Sequence, residues 1–176
     1  MSIAYPEPAT LAGTKVASPK AKAAEASHFS CLVVGESRQR NSMFEAAADE
    51  SGWQTHVCHG AAKANAVIAR HRFQLAIVDL ADAGNQGGEL REVAEALSRD
   101  KETLLMISGN EDDPLEEIWA RQIGGWVYLP GVDETCDLKM VCDEARTVAE
   151  KLHPSLKSET NESGISSSKN ESREFG

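Results

Sequence analysis

The stretch "LAIVDLADAG", residues 75–84, sets four apolar residues, Leu75 to Val78, directly against a carboxylate, Asp79. The run is too short for a stable helix and fits a strand buried on both faces. A strand of that kind belongs to a parallel sheet covered by helices. Its terminal acid is then either a plain solvated strand end or a reactive group at the open edge of the sheet. The sequence on either side bears on that choice.

Apolar strands alternate with helical patterns both upstream and downstream of it. "SCLVVG" (30–35), "QTHVC" (54–58), "LAIVDL" (75–80), "TLLMIS" (103–108) and "WVYLP" (126–130) read as strands. Between and after them, 37–52, 61–72, 88–100, 112–124 and 133–152 read as helices. Their apolar stripes have helical spacing: Met43, Phe44 and Ala47; Leu90, Val93, Ala94 and Leu97; Leu138, Val141, Cys142, Ala145 and Val148. Gly52 stops the first of them. Before the fourth, Asp113 is an N-cap, Pro114 suits the first helical position, and Glu116 completes a capping-box pattern. Repeated strand–helix alternation specifies a parallel sheet with helices on both faces. In such sheets functional groups gather at the carboxyl ends of the strands. Here those ends carry Gly35 and Glu36, Asp79, Ser108, and Pro130 and Gly131. Two carboxylates and a hydroxyl at one edge suit a hard cation such as Mg²⁺.

Composition narrows the function. The chain has 176 residues, 41% hydrophobic and 26% charged, as expected of one globular domain with tails. Segments 1–28 and 153–176 are polar and poor in large apolar residues, so disordered tails are expected there, flanking a domain over 29–152. The formal charge is −10. The tails come to +1 and −1, which leaves the acidic excess on the domain and argues against nucleic-acid binding. No apolar stretch is long enough to span a membrane, and the N-terminus lacks a secretory apolar core, so a cytoplasmic location is expected. Cys31, Cys58, Cys136 and Cys142 match no zinc or redox spacing. In "HVCHG", His56 and Cys58 share one strand face and His59 takes the other, which does not favour a metal site.

Taken in order, these pieces resemble the receiver domain of two-component response regulators over about residues 29–152. "CLVVGES" looks like its first strand, "LAIVDLADAG" its third, "LLMISGN" its fourth and "GGWVYLPGVD" its fifth. The resemblance implies a flavodoxin-like, doubly wound five-stranded parallel sheet of (βα)5 type, strand order 2-1-3-4-5. It implies Asp79 as phospho-acceptor, with Glu36, Asp79 and the backbone carbonyl of Ala81 around Mg²⁺. Ser108 would sense the phosphoryl group, Gly109 would be the small residue after it, and Tyr128 the aromatic that changes rotamer. A histidine kinase or another signalling protein is the implied partner. The surface of helix four, strand five and helix five is implied as a docking or homodimer face, with the acidic run "EDDPLEE" beside it.

Two positions depart from the family pattern. Gly35 stands where the first of two paired acids is expected, and Gly131 where a lysine is expected; Asp82-Ala83 replaces the usual Met-Pro. Loss of an acid weakens cation binding. Loss of the lysine removes a charge-assisted bond of roughly 1.5–3 kcal/mol. Arg38 or Lys63 could stand in for it from a neighbouring segment. The expectation is therefore a non-enzymatic, stand-alone receiver-like module, working through protein–protein contacts with an impaired phosphorylation switch. A working single-domain regulator phosphorylated at Asp79 is the alternative. A flavin- or nucleotide-binding enzyme is disfavoured, because "GESRQRNS" has no Gly-rich phosphate cradle.

Overall fold

The structure, a computed structural model, describes residues 28–132 and 135–156. Its elements are β1 (Ser30–Gly35), α1 (Arg38–Glu50), β2 (Gln54–His59), α2 (Ala61–Ile68), β3 (Leu75–Asp79), a 3-10 turn (Gly84–Gln86), α3 (Gly87–Ser98), β4 (Leu104–Gly109), α4 (Pro114–Gln122), β5 (Val127–Pro130) and α5 (Thr135–Leu152). Apart from residues 28 and 153–156, the expected tails lie outside the described residues. Past Leu152 the chain stays packed: His153 donates its amide to Ala149 O at 2.8 Å and Leu156 rests against the core.

The five strands form one parallel sheet in the order β2-β1-β3-β4-β5, parallel as the alternation predicts and in the doubly wound order that the receiver resemblance implies. Side chains alternate between its two faces. Leu32, Val34, Ala76, Val78, Leu105 and Ile107 pack against α2, α3 and Ala120 of α4. Cys31, Val33, Leu75, Ile77 and Met106 pack against Phe44 of α1 and Leu138, Cys142 and Ala145 of α5. All of β3 is buried, as a central strand covered on both faces must be. Each large aliphatic side chain so covered contributes about 1.5–3 kcal/mol. The edge strand β5 is only partly buried.

Two local readings need correction. α2 ends at Ile68, four residues short of the expected 61–72. Its buried face runs through Ala61 and Ala64, with Val67 and Ile68 against the core, and the next turn would bring His71 and Arg72 to that face. Burying such groups unpaired is costly, so the helix stops and Phe73 turns into the core instead. At α4, Asp113 does cap, accepting from the amides of Leu115 and Glu116 at 3.1 and 3.2 Å. Glu116 does not return the bond to Asp113. Its side chain is buried and accepts the amide of Asn110 at 3.1 Å.

Candidate functional site

Parallel pairing places Asp79 opposite Ser108 at the carboxyl ends of β3 and β4. Both are buried, Asp79 to 1% exposure. A carboxylate removed from water needs a cation and hydrogen bonds. The cation here is Arg40, from the first turn of α1. Its Nε donates to Asp79 Oδ2 at 2.7 Å and its Nη2 to Asp79 Oδ1 at 3.0 Å, a two-pronged grip that occupies both carboxylate oxygens. The same Nη2 donates to Ser108 Oγ at 2.9 Å, and Nη1 reaches Val132 O at 2.9 Å in the segment after β5. One guanidinium thus joins α1, β3, β4 and the end of β5. The amide of Ala81 makes a longer contact to Asp79 Oδ1, at 3.4 Å.

α1 positions Arg40 because Ser37 caps the helix, accepting the Arg40 amide at 3.5 Å. That fixes the first turn against the sheet edge. Asn41 is buried next to it. Its Nδ2 donates to Gly35 O at 3.0 Å and lies 3.0 Å from His59 Nδ1, while its buried Oδ1 has no hydrogen-bond partner. A Cβ at Gly35 would come within 2.6 Å of that oxygen and 3.1 Å of the Asp79 Cβ. The missing first acid therefore leaves space that Asn41 fills. Glu36 is exposed, and its Oε1 lies 3.1 Å from where a Cβ on Gly60 would stand, over the turn after β2.

Gly131 adopts φ +58°, where an L side chain is strained, and a Cβ there would sit 2.9 Å from Glu111 Oε2. A lysine does not suit this backbone. The cation of the site comes from Arg40 rather than from the exposed Arg38 or Lys63.

Tyr128 is fixed by a second network. Its hydroxyl donates to Glu116 Oε1 at 3.1 Å, with Asn110 O at 3.2 Å. Glu116 Oε2 accepts Arg91 Nη2 at 3.0 Å. Burial, and then the adjacent Glu116 carboxylate, push the Tyr128 hydroxyl well above the usual tyrosine range. Gly109 makes this packing possible, since a Cβ there would overlap both the Glu116 carboxylate and the Tyr128 hydroxyl.

The geometry does not fit Mg²⁺. Asp79 has both oxygens engaged by a guanidinium, Gly35 offers no donor side chain, and Glu36 lies over Gly60. No group of three or more His, Cys, Asp or Glu side chains among the described residues is arranged to hold a metal ion.

Arg40, Asn41 and Glu116 are the site residues that sequence reasoning missed. The available signal, a cation in the first turn of a helix that opposes the helix dipole, applies equally to Arg38 and Arg40 and does not choose between them.

A sequence profile described as the VpsR domain matches residues 19–108, from before β1 through β4. No curated protein sequence matches the chain significantly. Among solved structures, the chemotaxis response regulator CheY4 of Vibrio cholerae is similar at TM-score 0.56 and 16% identity. That match covers 67% of this chain and 98% of CheY4. A response regulator from Thermotoga maritima gives TM-score 0.58 at 17% identity, covering 67% and 97%. The receiver domain of NtrX from Brucella abortus gives 0.56 at 17%, covering 65% and 96%. At such identities the likeness establishes a receiver fold.

Proposed function

Since the chain belongs to the VpsR domain family and has the receiver fold, we propose that it is a signal-transduction module whose phospho-acceptor position is held closed by Arg40. It then acts by binding other proteins in the cytoplasm, without catalytic turnover and without a phosphorylation-driven switch. The observation that carries this reading is the two-pronged Arg40–Asp79 pair, tied also to Ser108 and Val132.

The chemistry follows from that pair. Aspartate attacks phosphorus poorly unless a cation neutralises the phosphoryl oxygens, and it needs a free oxygen lone pair in line with the leaving group. Arg40 neutralises the acid itself and directs three N–H groups at Asp79 and Ser108. Breaking that arrangement leaves a buried carboxylate without its cation, which is costly. Tyr128, bonded to Glu116 and Asn110, is restrained in the same manner.

The protein-binding face is supported by exposed apolar residues on the outer helices. Leu115 and Ile118 of α4 are 72% and 52% exposed, and Met140 of α5 is 71% exposed. On α4 the two apolar residues share the helix with Glu117 and its cap Asp113, so a partner with apolar and basic groups, or a second copy of the chain, suits that surface.

One feature favours a second reading, in which Asp79 is phosphorylated by a histidine kinase. If Arg40 swings off Asp79, it remains a cation able to take phosphoryl oxygens in place of the absent lysine. Incubation with acetyl phosphate and Mg²⁺, followed by intact mass measurement, separates the two. The clamped reading expects no added mass. A gain of one phosphoryl group that is lost in Asp79→Asn would overturn the clamped reading and show Asp79 to be a working acceptor, as the second reading requires.

A further inference from the structure

At the opposite end of the sheet from Asp79, a groove of about 630 Å³ opens between the amino ends of β1, β2 and β3. Its walls carry His28, His56, His71, Arg70, Arg72 and Gln74, and no carboxylate is among its lining residues. Such a concentration of cationic and imidazole groups is unexpected in a chain of net charge −10. It arises where α2 stops at Ile68 and the chain turns inward at Phe73, leaving Arg70, His71 and Arg72 exposed on the connection.

The His56 and His71 rings are stacked, 6.0 Å apart and 23° from parallel, and the His56 ring meets Phe73 edge-on at 5.5 Å. An anion seated among these rings and the neighbouring Arg70 and Arg72 guanidiniums would meet positive charge and ring N–H donors on several sides. Arg72 pairs at the rim with Asp100 at 2.9 Å and is 83% exposed, whereas Arg70 has no ion-pair partner among the described residues. Gln74 Oε1 accepts the Ser30 amide at 2.9 Å, which fixes its side chain at the floor.

From this cluster we propose that the groove is a binding site for a small polyanion carrying phosphate or similar groups. The volume falls in the range of about 300–1,000 Å³ typical of small-molecule sites. The acidic character of the rest of the domain repels long polyanions, which restricts the ligand to a small one. The site is independent of the Arg40 clamp, and its failure would leave the reading of Asp79 untouched.

The test is a titration of the full chain with inorganic pyrophosphate at constant ionic strength, followed by amide and imidazole NMR. Saturable shifts confined to residues around His56, His71 and Gln74 are expected. Affinity should fall at least about tenfold in the Arg70→Gln/Arg72→Gln variant, whose two exposed side chains are not needed for folding. Non-saturating shifts, shifts centred on Arg40, or unchanged affinity in the variant would overturn the proposal.

Discussion

Arg40 and Asp79, 39 positions apart in the chain, share two hydrogen bonds of 2.7 and 3.0 Å between a guanidinium 16% exposed and a carboxylate 1% exposed. The pair sits where a receiver fold collects its reactive acid, and it satisfies that acid internally.

Removing one partner of such a pair leaves an uncompensated buried charge. Arg40→Ala should lower stability by about 3–5 kcal/mol in urea unfolding. Adding Asp79→Asn to Arg40→Ala should recover part of that loss, because the stranded charge is gone. Additive losses in the double-mutant cycle would show that the two side chains do not interact.

Placing at position 131 the lysine that the receiver resemblance leads one to expect should not repair the site. Gly131→Lys places an L residue at φ +58°, next to Glu111. The expected cost is about 1–2 kcal/mol, read as a lower thermal midpoint with no gain in Mg²⁺ affinity. A stabilised variant would mean that the segment after β5 relaxes freely.

Burial, and secondarily Asp143, raise the Cys142 thiol to about 12, and burial likewise raises Cys31. A raised folded-state value means that the folded protein keeps its proton where the unfolded chain has released it. Stability from Cys142 is therefore complete below the ordinary thiol value of 9.0 and is lost as pH rises from there toward about 12. Denaturant midpoints should fall across that window, and less steeply in Cys142→Ala. The native thiol should also react slowly with a thiol reagent at neutral pH.

Much of the fold is legible in the sequence because burial leaves a direct imprint. A run such as Leu75–Val78, with no polar residue and too short for a stable helix, fits a strand covered on both faces, and the stripes on α3 and α5 show their helical period. The end of α2 was obscured because Ala69 to Arg72 have no helix-breaking residue. What ends the helix is the face onto which His71 and Arg72 would fall. Candidates for the site were legible one strand end at a time, through Asp79, Ser108 and Tyr128. What joins them is not, since Arg40 meets Asp79 only through the packing of α1 on the sheet edge. Arg38, two residues earlier, has the same chemistry and projects to solvent. Glu116 fits a capping box by its spacing, yet it turns toward Tyr128, Arg91 and the Asn110 amide, where its buried carboxylate collects more partners.

The most direct measurement is amide NMR of the full chain during addition of Mg²⁺ and then beryllofluoride, a stable mimic of the aspartyl phosphate. With Arg40 holding both oxygens of Asp79, resonances around Asp79, Ser108 and Tyr128 should stay unperturbed at millimolar concentrations. Saturable shifts at those residues that vanish in Asp79→Ala would contradict the clamp and show a site still able to take a metal and a phosphoryl group.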